Sequence, residues 1–443
     1  MKHEIKQRIE QIRRGIVPEG YKKTQIGIVP KEWNQDKFAN LFSPTIEFTD
    51  DTKMYPLHSL TIEKGVIPKS ERYEREYLIQ KTEDTYKVVR EDQFVYNPMN
   101  LRFGAVARYK AESPISVSGY YDVFSCKDKH IAFMEFFLKS NRLINFYNRM
   151  ATGSLIEKQR VHFSQFLDFE LPLPSINECE KIAEILLTWD KGIELRERLI
   201  EEKRRQKKYL LQKLLTGEKR IPGFRDKWRK VRLGEVCKKV FGGGTPSRNS
   251  SHYYQGNIPW VTVKDLDGAK KKYDSLEHIS EEAVRKSASK IIPKGNLIVS
   301  TRMGLGRGFI NMVDMAINQD MKGLILDDQL VFPEFLYYCF IESGRNLERL
   351  GNGSTVKGID LQTLLKVIIH LPTLPEQIAI AEILSVADRE IELLENKFVQ
   401  IQRQKEALMQ LLLTGIVRVN VQEVFQCPTI LYATNARRVR TER

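Results

Sequence analysis

The glycine-rich run Phe241–Ser247 (FGGGTPS) is the first place where backbone N–H groups could cradle a phosphate. No Gly-Lys-Ser/Thr follows it, so the lysine and hydroxyl of a phosphate loop are missing. Gly304–Gly308 (GLGRG) does not have the spacing of the dinucleotide fingerprint. The seven histidines form no HExxH or comparable ligand cluster. The five cysteines, Cys126, Cys179, Cys237, Cys339 and Cys427, show no CxxC spacing. That speaks against a zinc site or a disulfide framework and fits a reducing cytoplasm. No acidic and lysine residues stand at a clear nuclease spacing.

A further motif also falls short. Asn97-Pro98-Met99-Asn100 has the first two residues of the Asn-Pro-Pro-aromatic site of adenine methyltransferases. It lacks the second proline and the aromatic ring that would stack on a flipped base. A turn after a strand is the simpler reading. The residues that remain are suited to binding. Asn100-Leu101-Arg102-Phe103-Gly104 has a counterpart in Thr301-Arg302-Met303-Gly304. Gly153-Ser154 is followed by Lys158 and Arg160, and Gly353-Ser354 by Lys357. An Arg or Lys near a Gly can reach a phosphate or a guanine edge, because glycine lets backbone N–H groups approach closely. A solvated surface charge is the alternative for any one of them; recurrence at matching places favours binding.

The elements that position these loops are repeated. Residues 173–217 align without a gap on residues 371–415, and roughly half of the positions are identical. AEIL recurs at Ala183–Leu186 and Ala381–Leu384, RQK at Arg205–Lys207 and Arg403–Lys405. Each copy opens on a capping box, Ser175-x-x-Glu178 or Thr373-x-x-Glu376, and stops at Gly217 or Gly415. About 41 residues between cap and stop predict a helix of roughly 60 Å. Leu186, Ile193, Ile200 and Leu214 lie on a heptad seam in the first copy. Leu384, Ile391, Phe398 and Leu412 do so in the second. Arg196 and Lys203 make the first seam polar at its middle and should weaken it there or snorkel to its edge. Lys207 and Lys405 hold the same place in the two copies. The simplest arrangement buries the two stripes against each other in an antiparallel pair. Two independent surface helices are the alternative.

Between the helices lie two dissimilar modules, from about Tyr21 to Leu171 and from about Ile221 to His370. Each has a tryptophan near its start, Trp33 or Trp228. Strands are expected at Phe94–Asn97, Val106–Arg108, Pro114–Phe124, Trp260–Val263 and Ile291–Ser300, and helices at Ala132–Met150 and Pro333–Leu350. The fold class is therefore α+β, with two mixed modules separated by two long helices. At the start, Ile5, Ile9 and Ile12 have helical spacing, and Gly15–Tyr21 echoes Gly217–Phe224. This segment reads as the end of a third copy, with its helix beside the second long helix.

The whole-chain numbers agree. A chain of 443 residues is too long for one core. A net charge of +14 points to a polyanionic partner, nucleic acid first. No apolar run approaches the ~20 residues of a membrane span, and the first residues, MKHEIKQRIEQIRRG, lack the apolar stretch expected of a signal peptide.

At this point the chain resembles the specificity subunits of type I restriction–modification systems, from about Tyr21 to Val419. The phrases that carry the likeness are GYKKTQIGIVPKEW at Gly20–Trp33 and GGTPSRNSSHYYQGNIPWVTVKDL at Gly243–Leu266, with the paired LP…E…AEIL…LLTG segments. The resemblance implies two target recognition domains, each reading one half of a bipartite, asymmetric DNA site. It implies an antiparallel coiled coil that spaces them, with an internal pseudo-two-fold repeat. The expected organisation is an N-terminal helix at 1–20 packing with the coiled coil, a first recognition domain at 21–171, and the first constant helix at 172–220. A second recognition domain at 221–370, the second constant helix at 371–419 and a tail at 420–443 follow. Candidate DNA contacts are Arg102, Lys158, Arg160, Thr245, Lys264, Arg302, Ser354 and Lys357. The implied partners are double-stranded DNA, two methyltransferase subunits and two restriction–motor subunits, in the cytoplasm. S-adenosylmethionine, ATP and Mg are expected on those subunits, with no cofactor on this catalytically inert chain. A stand-alone DNA-binding regulator is the rival reading, and a self-contained enzyme the second rival. The tail fits no family pattern: a disordered basic tail, an added DNA contact and a shifted reading frame all remain open.

Overall fold

The computed structural model describes residues 2–69, 86–155, 159–350 and 358–420. The tail from residue 421 onward, with Cys427, lies outside them, as do Lys158, Ser354 and Lys357. The chain divides into two compact units. One is drawn from Met1–Glu194 and Val399–Arg443, the other from Leu195–Phe398. No helix among the described residues is long and apolar enough to cross a membrane.

Each repeat forms one helix of 40 residues, Ile176–Leu215 and Leu374–Leu413. Both end as their glycines dictate. Gly217 (φ 74°) and Gly415 (φ 67°) are left-handed, and N–H groups just beyond them return to the last turn, Lys219 to Lys213 and Val417 to Leu411. Each glycine also lies against the tryptophan of its unit's module. A Cβ on Gly217 would lie 3.2 Å from the Trp228 ring, and one on Gly415 3.0 Å from the Trp33 ring.

In the first unit a four-stranded antiparallel sheet runs in the order Val106–Arg108, Phe94–Tyr96, Asp122–Cys126, Phe42–Pro44. Aromatic rings fill its core, Phe38, Phe42, Phe94, Phe124 and Phe166 among them, with ring centres 5.0–6.4 Å apart. In the second unit a five-stranded sheet runs Cys237–Gly242, Met321–Leu326, Leu297–Ser300, Gly308–Asn311, Lys271–Lys272. A four-stranded sheet accompanies it: Glu277–Ile279, Ile258–Val261, Met315–Ile317, Lys290–Ile292. Both modules are clamped at their ends in the same way. Asn34–Lys37 pairs antiparallel with Glu170–Leu173, and Arg229–Arg232 with Ile368–Leu371.

Several local expectations are corrected. The helix expected over Ala132–Met150 is two, Asp128–Phe137 and Asn141–Met150, because Ser140 caps the second by accepting from Leu143 N–H. The strand expected over Pro114–Phe124 breaks into Ile115–Val117 and Asp122–Cys126 around a turn. Lys290–Ile292 and Leu297–Ser300 are likewise separate strands, with Pro293 between them. Neither capping box is complete. Ser175 accepts from Glu178 N–H at 3.4 Å, but neither glutamate carboxylate turns back to its own cap.

Those carboxylates serve a different purpose. Glu376 is fully buried and receives Arg220 Nε at 2.7 Å, Arg220 Nη2 at 2.8 Å and the Trp228 indole N–H at 3.0 Å. Glu178, 2% exposed, receives Arg418 at 2.7 and 3.0 Å and the Trp33 indole N–H at 3.3 Å. In each unit the start of one long helix is therefore fastened to the residues after the other helix's stop, and to the first tryptophan of the module. In the first unit the N-terminal segment joins in. Arg8 donates to the Ile416 carbonyl at 2.7 Å, and Tyr21 Oη to the Gly415 carbonyl at 2.8 Å.

Within each unit the long-helix segments run antiparallel. Leu211, Leu214 and Leu215 share a core with Ile380, Ala381 and Leu384. Ile182, Ala183 and Leu186 share one with Leu412 and Leu413. Leu186, Ile200, Leu214, Leu384 and Leu412 are buried, and Ile193, Ile391 and Phe398 half-buried. The polar seam residues find partners across the pair. Lys203 meets Glu390 at 2.6 Å, Lys207 meets Asp388, and Lys405 meets Asp190 at 2.5 Å. Arg196 stays half-buried, with its Nε unpartnered.

The buried carboxylate sets a test. Arg220→Met leaves the Glu376 charge uncompensated and will lower unfolding stability by about 3 kcal/mol in urea titrations. The double variant Arg220→Met/Glu376→Gln, whose amide can still accept from Trp228, will recover part of that loss. A single variant within about 0.5 kcal/mol of wild type would contradict the role given to this contact.

Candidate nucleic-acid interface

The loops carrying the basic candidates have the same backing in both modules. In the first, Leu101–Phe103 forms a short 3-10 turn that ends at left-handed Gly104 (φ 91°). Leu101 is fully buried and pins the turn, and Asn97 holds it from behind with its side-chain carbonyl on the N–H groups of Met99 and Asn100. This gives the Asn-Pro-Met-Asn motif its use as a turn former. Arg102 donates to Gln159 at 3.2 Å and lies 4.6 Å from the centre of the Phe103 ring, while its Nε is buried without a partner. Val161 N–H donates to the Pro98 carbonyl, so the chain after the Gly153-Ser154 loop lies alongside. Arg160 is exposed, and its backbone bridges to Thr152 in both directions.

In the second module, Arg302 bridges to Gly358 and Ile359 N–H donates to the Thr301 carbonyl at 3.0 Å. The chain just after the second Gly-Ser loop again flanks the arginine. Arg302 is 57% exposed, with its guanidinium 3.7 Å from Asp320. That aspartate belongs to a turn that gathers the other candidates. Thr301 binds the Asp320 carbonyl through N–H and hydroxyl, and exposed Thr245 donates its hydroxyl to Gln319. Lys264 is exposed on the turn Val263–Asp265, whose neighbour Leu266 packs 3.5 Å from the Cβ position of Gly304. Thr245, Lys264 and Arg302 thus belong to adjoining loops. Lys158, Ser354 and Lys357 lie outside the described residues, and their described neighbours Gln159 and Gly358 are the ones that touch the arginine loops.

The phrase Gly243–Leu266 builds the scaffold for this cluster. A Cβ on Gly243 would lie 2.2 Å from the carbonyl oxygens of Ile317 and Asn318, so only glycine lets the chain pass. Trp260 is buried and donates to the Gly244 carbonyl at 3.2 Å. Tyr254 donates to the Pro246 carbonyl at 2.7 Å. Arg248 covers both rings, 4.2 Å from Tyr254 and 5.4 Å from Trp260, and pairs with Glu277 at 2.7 Å. The glycines of FGGGTPS thus serve close packing.

No group of three or more His, Cys, Asp or Glu among the described residues could hold a metal. Burial raises the thiol pKa values of Cys179 and Cys237 to about 12, which removes them as nucleophiles. Gln159, Gln319 and Asp320 support the candidate arginines and threonine and were not singled out from the sequence. Their signal there is only adjacency to a glycine-bearing loop.

The chain is similar to known proteins along most of its length. Residues 225–403 match the model of the type I restriction modification DNA specificity domain. The putative type I restriction enzyme MjaX specificity subunit of Methanocaldococcus jannaschii is 24% identical over 422 residues, covering 90% of this chain and 97% of that protein. The EcoR124I/EcoR124II specificity subunit of Escherichia coli is 29% identical over 271 residues, covering 55% of this chain and 64% of that protein. The fold is similar to the crystal structure of the HsdS subunit from Thermoanaerobacter tengcongensis, with a TM-score of 0.50 at 20% identity over 88% of this chain and 98% of that one. A chain from a structural study of complex assembly and conformational transition in the type I R–M system gives a TM-score of 0.55 at 19% identity, over 88% and 99% of the two chains. With the domain match on residues 225–403 and a relative aligned over 90% of the chain, the chain is similar along most of its length to the specificity subunits of type I restriction–modification systems.

Proposed function

We propose that this chain is the non-catalytic reader of a bipartite, asymmetric DNA site. Each module reads one half, and the long helices, paired as an antiparallel coiled coil, set the distance between halves. The observation that carries the reading is the recurrence in both units of one glycine–arginine loop arrangement and one buried Arg–Glu–Trp contact, around modules whose sequences otherwise differ. Lysine and arginine contacts to phosphates supply affinity that falls with salt, and groove contacts supply the sequence preference. The helices also recruit two methyltransferase subunits, and two restriction–motor subunits join in the cytoplasm. S-adenosylmethionine, ATP and Mg belong to those partners. The pseudo-two-fold repeat presents its modules to the duplex as a symmetric dimer would, so the half-sites lie about one helical turn, 10–10.5 bp, apart.

Two experiments test this. Exchange of residues 22–170 for another such module will change one half-site in a methylation assay and leave the other intact; a change in both halves contradicts modular reading. Insertion of four residues at matching positions of both long helices will lengthen each by about 6 Å, and the preferred spacer will grow by one or two base pairs. An unchanged spacer rules out the helices as the ruler.

A further inference from the structure

The two modules share one feature that neither the fold nor the candidate arginines explain. Each presents a large exposed apolar side chain directly after the loop arginine and directly before a left-handed glycine. Phe103 is 49% exposed and Met303 59% exposed, followed by Gly104 and Gly304 (φ 91° and 126°). The residues before the arginines, Leu101 and Thr301, are buried and fix both loops from below. A single exposed apolar residue is ordinary on a protein surface. Recurrence at matching places in two otherwise different modules is not.

Met303 adds a second observation. Its φ is 53°, and among the described residues only Asp92 shares a positive φ without being glycine. Aspartate enters that region readily through local hydrogen bonds, whereas an unbranched apolar side chain gains nothing there. Met303 therefore combines backbone strain with exposure to water, and neither helps the fold. Strain of this kind, held at a loop tip, marks positions kept for another purpose.

We propose that Phe103 and Met303 are the base-pair contacts of their modules, apolar tips that enter a groove of the duplex and press against the base pairs. Arg102 and Arg302, beside them, take a phosphate or a guanine edge. This inference rests on the DNA-reading function proposed above. A phenyl ring or thioether suits a thymine methyl or the face of an opened base step, and its desolvation on contact gives it a reason to be exposed in the free protein. The Arg102 guanidinium over the Phe103 ring holds the two as one unit, with the ring the more exposed of the two.

The test uses the complex with its methyltransferase subunits and two duplexes of equal length and composition. One carries the sequence methylated in cells and the other the same bases shuffled. Phe103→Ala and Met303→Gly will each weaken binding to the first duplex about 10-fold and leave binding to the second unchanged. Met303→Gly will melt at the wild-type temperature or above, because glycine is at ease at positive φ. Folded variants that keep the wild-type discrimination would overturn the inference. So would a Met303→Gly variant that melts well below wild type, which would make the residue structural. If the wild-type complex fails to distinguish the duplexes, the DNA-reading function itself falls, and this inference with it.

Discussion

A buried carboxylate at the start of each long helix is the constraint on which the rest depends. Glu178 and Glu376 are removed from water, and a carboxylate so placed is tolerated only with full compensation. Each receives it as a bidentate arginine fork and an indole N–H. The fork arises just past the end of the opposite long helix, and the indole at the start of a module. One contact therefore fastens three elements: helix start, partner helix end and module. In the second unit, Arg220 and Trp228 belong to one short stretch. In the first, Trp33 comes from near the beginning of the chain and Arg418 from near residue 420. The same contact is thus made once by neighbours in sequence and once by distant segments.

A second pair of contacts sets the register of the helices. An apolar heptad seam tolerates sliding by a whole repeat, and charges within the seam penalise it. Lys207 with Asp388 and Lys405 with Asp190 occupy equivalent places in the two copies. Their surroundings then diverge. Asp388 also accepts the Tyr338 hydroxyl at 2.5 Å, and Lys270 lies 3.7 Å away, donating to Ser385 and Tyr338. Burial pulls the Lys270 ammonium below its ordinary range and pushes the Tyr338 hydroxyl well above its own. In the first unit, Lys405 lies 5.3 Å from the Phe136 ring centre. One shared ion pair thus anchors a polar network in one unit and meets an aromatic ring in the other.

The long helices were legible in the sequence because three signals agreed there: an ungapped repeat, heptad spacing and glycine stops. The polar contacts between them were harder to read. Ser175-x-x-Glu178 and Thr373-x-x-Glu376 have the form of capping boxes, and local pattern reading gives the carboxylates to their own caps. Tertiary burial sends them to Arg418 and Arg220 instead. A signal was present all the same, since Glu178/Glu376 and Asp190/Asp388 are identical polar positions of the two copies. Residues kept polar in both copies of a buried stripe need partners, and the partners must come from elsewhere in the chain. Within the modules, Arg102 and Arg302 were candidates because of their glycine neighbours. Gln159, Gln319 and Asp320 were not, because support from across a turn leaves no spacing in the sequence. The glycines of Phe241–Ser247 looked like a cradle, and tight backbone packing under Gly243 explains them.

The central claim is that one chain reads two different DNA segments at a fixed separation. Methylome sequencing of cells that carry the complete system tests it most directly, since it reports both segments and the gap together. The account predicts one asymmetric motif of two unlike specified parts, separated by a constant stretch of unspecified bases that places their centres about one helical turn apart. A single uninterrupted motif, or two parts separated by a variable gap, would contradict it.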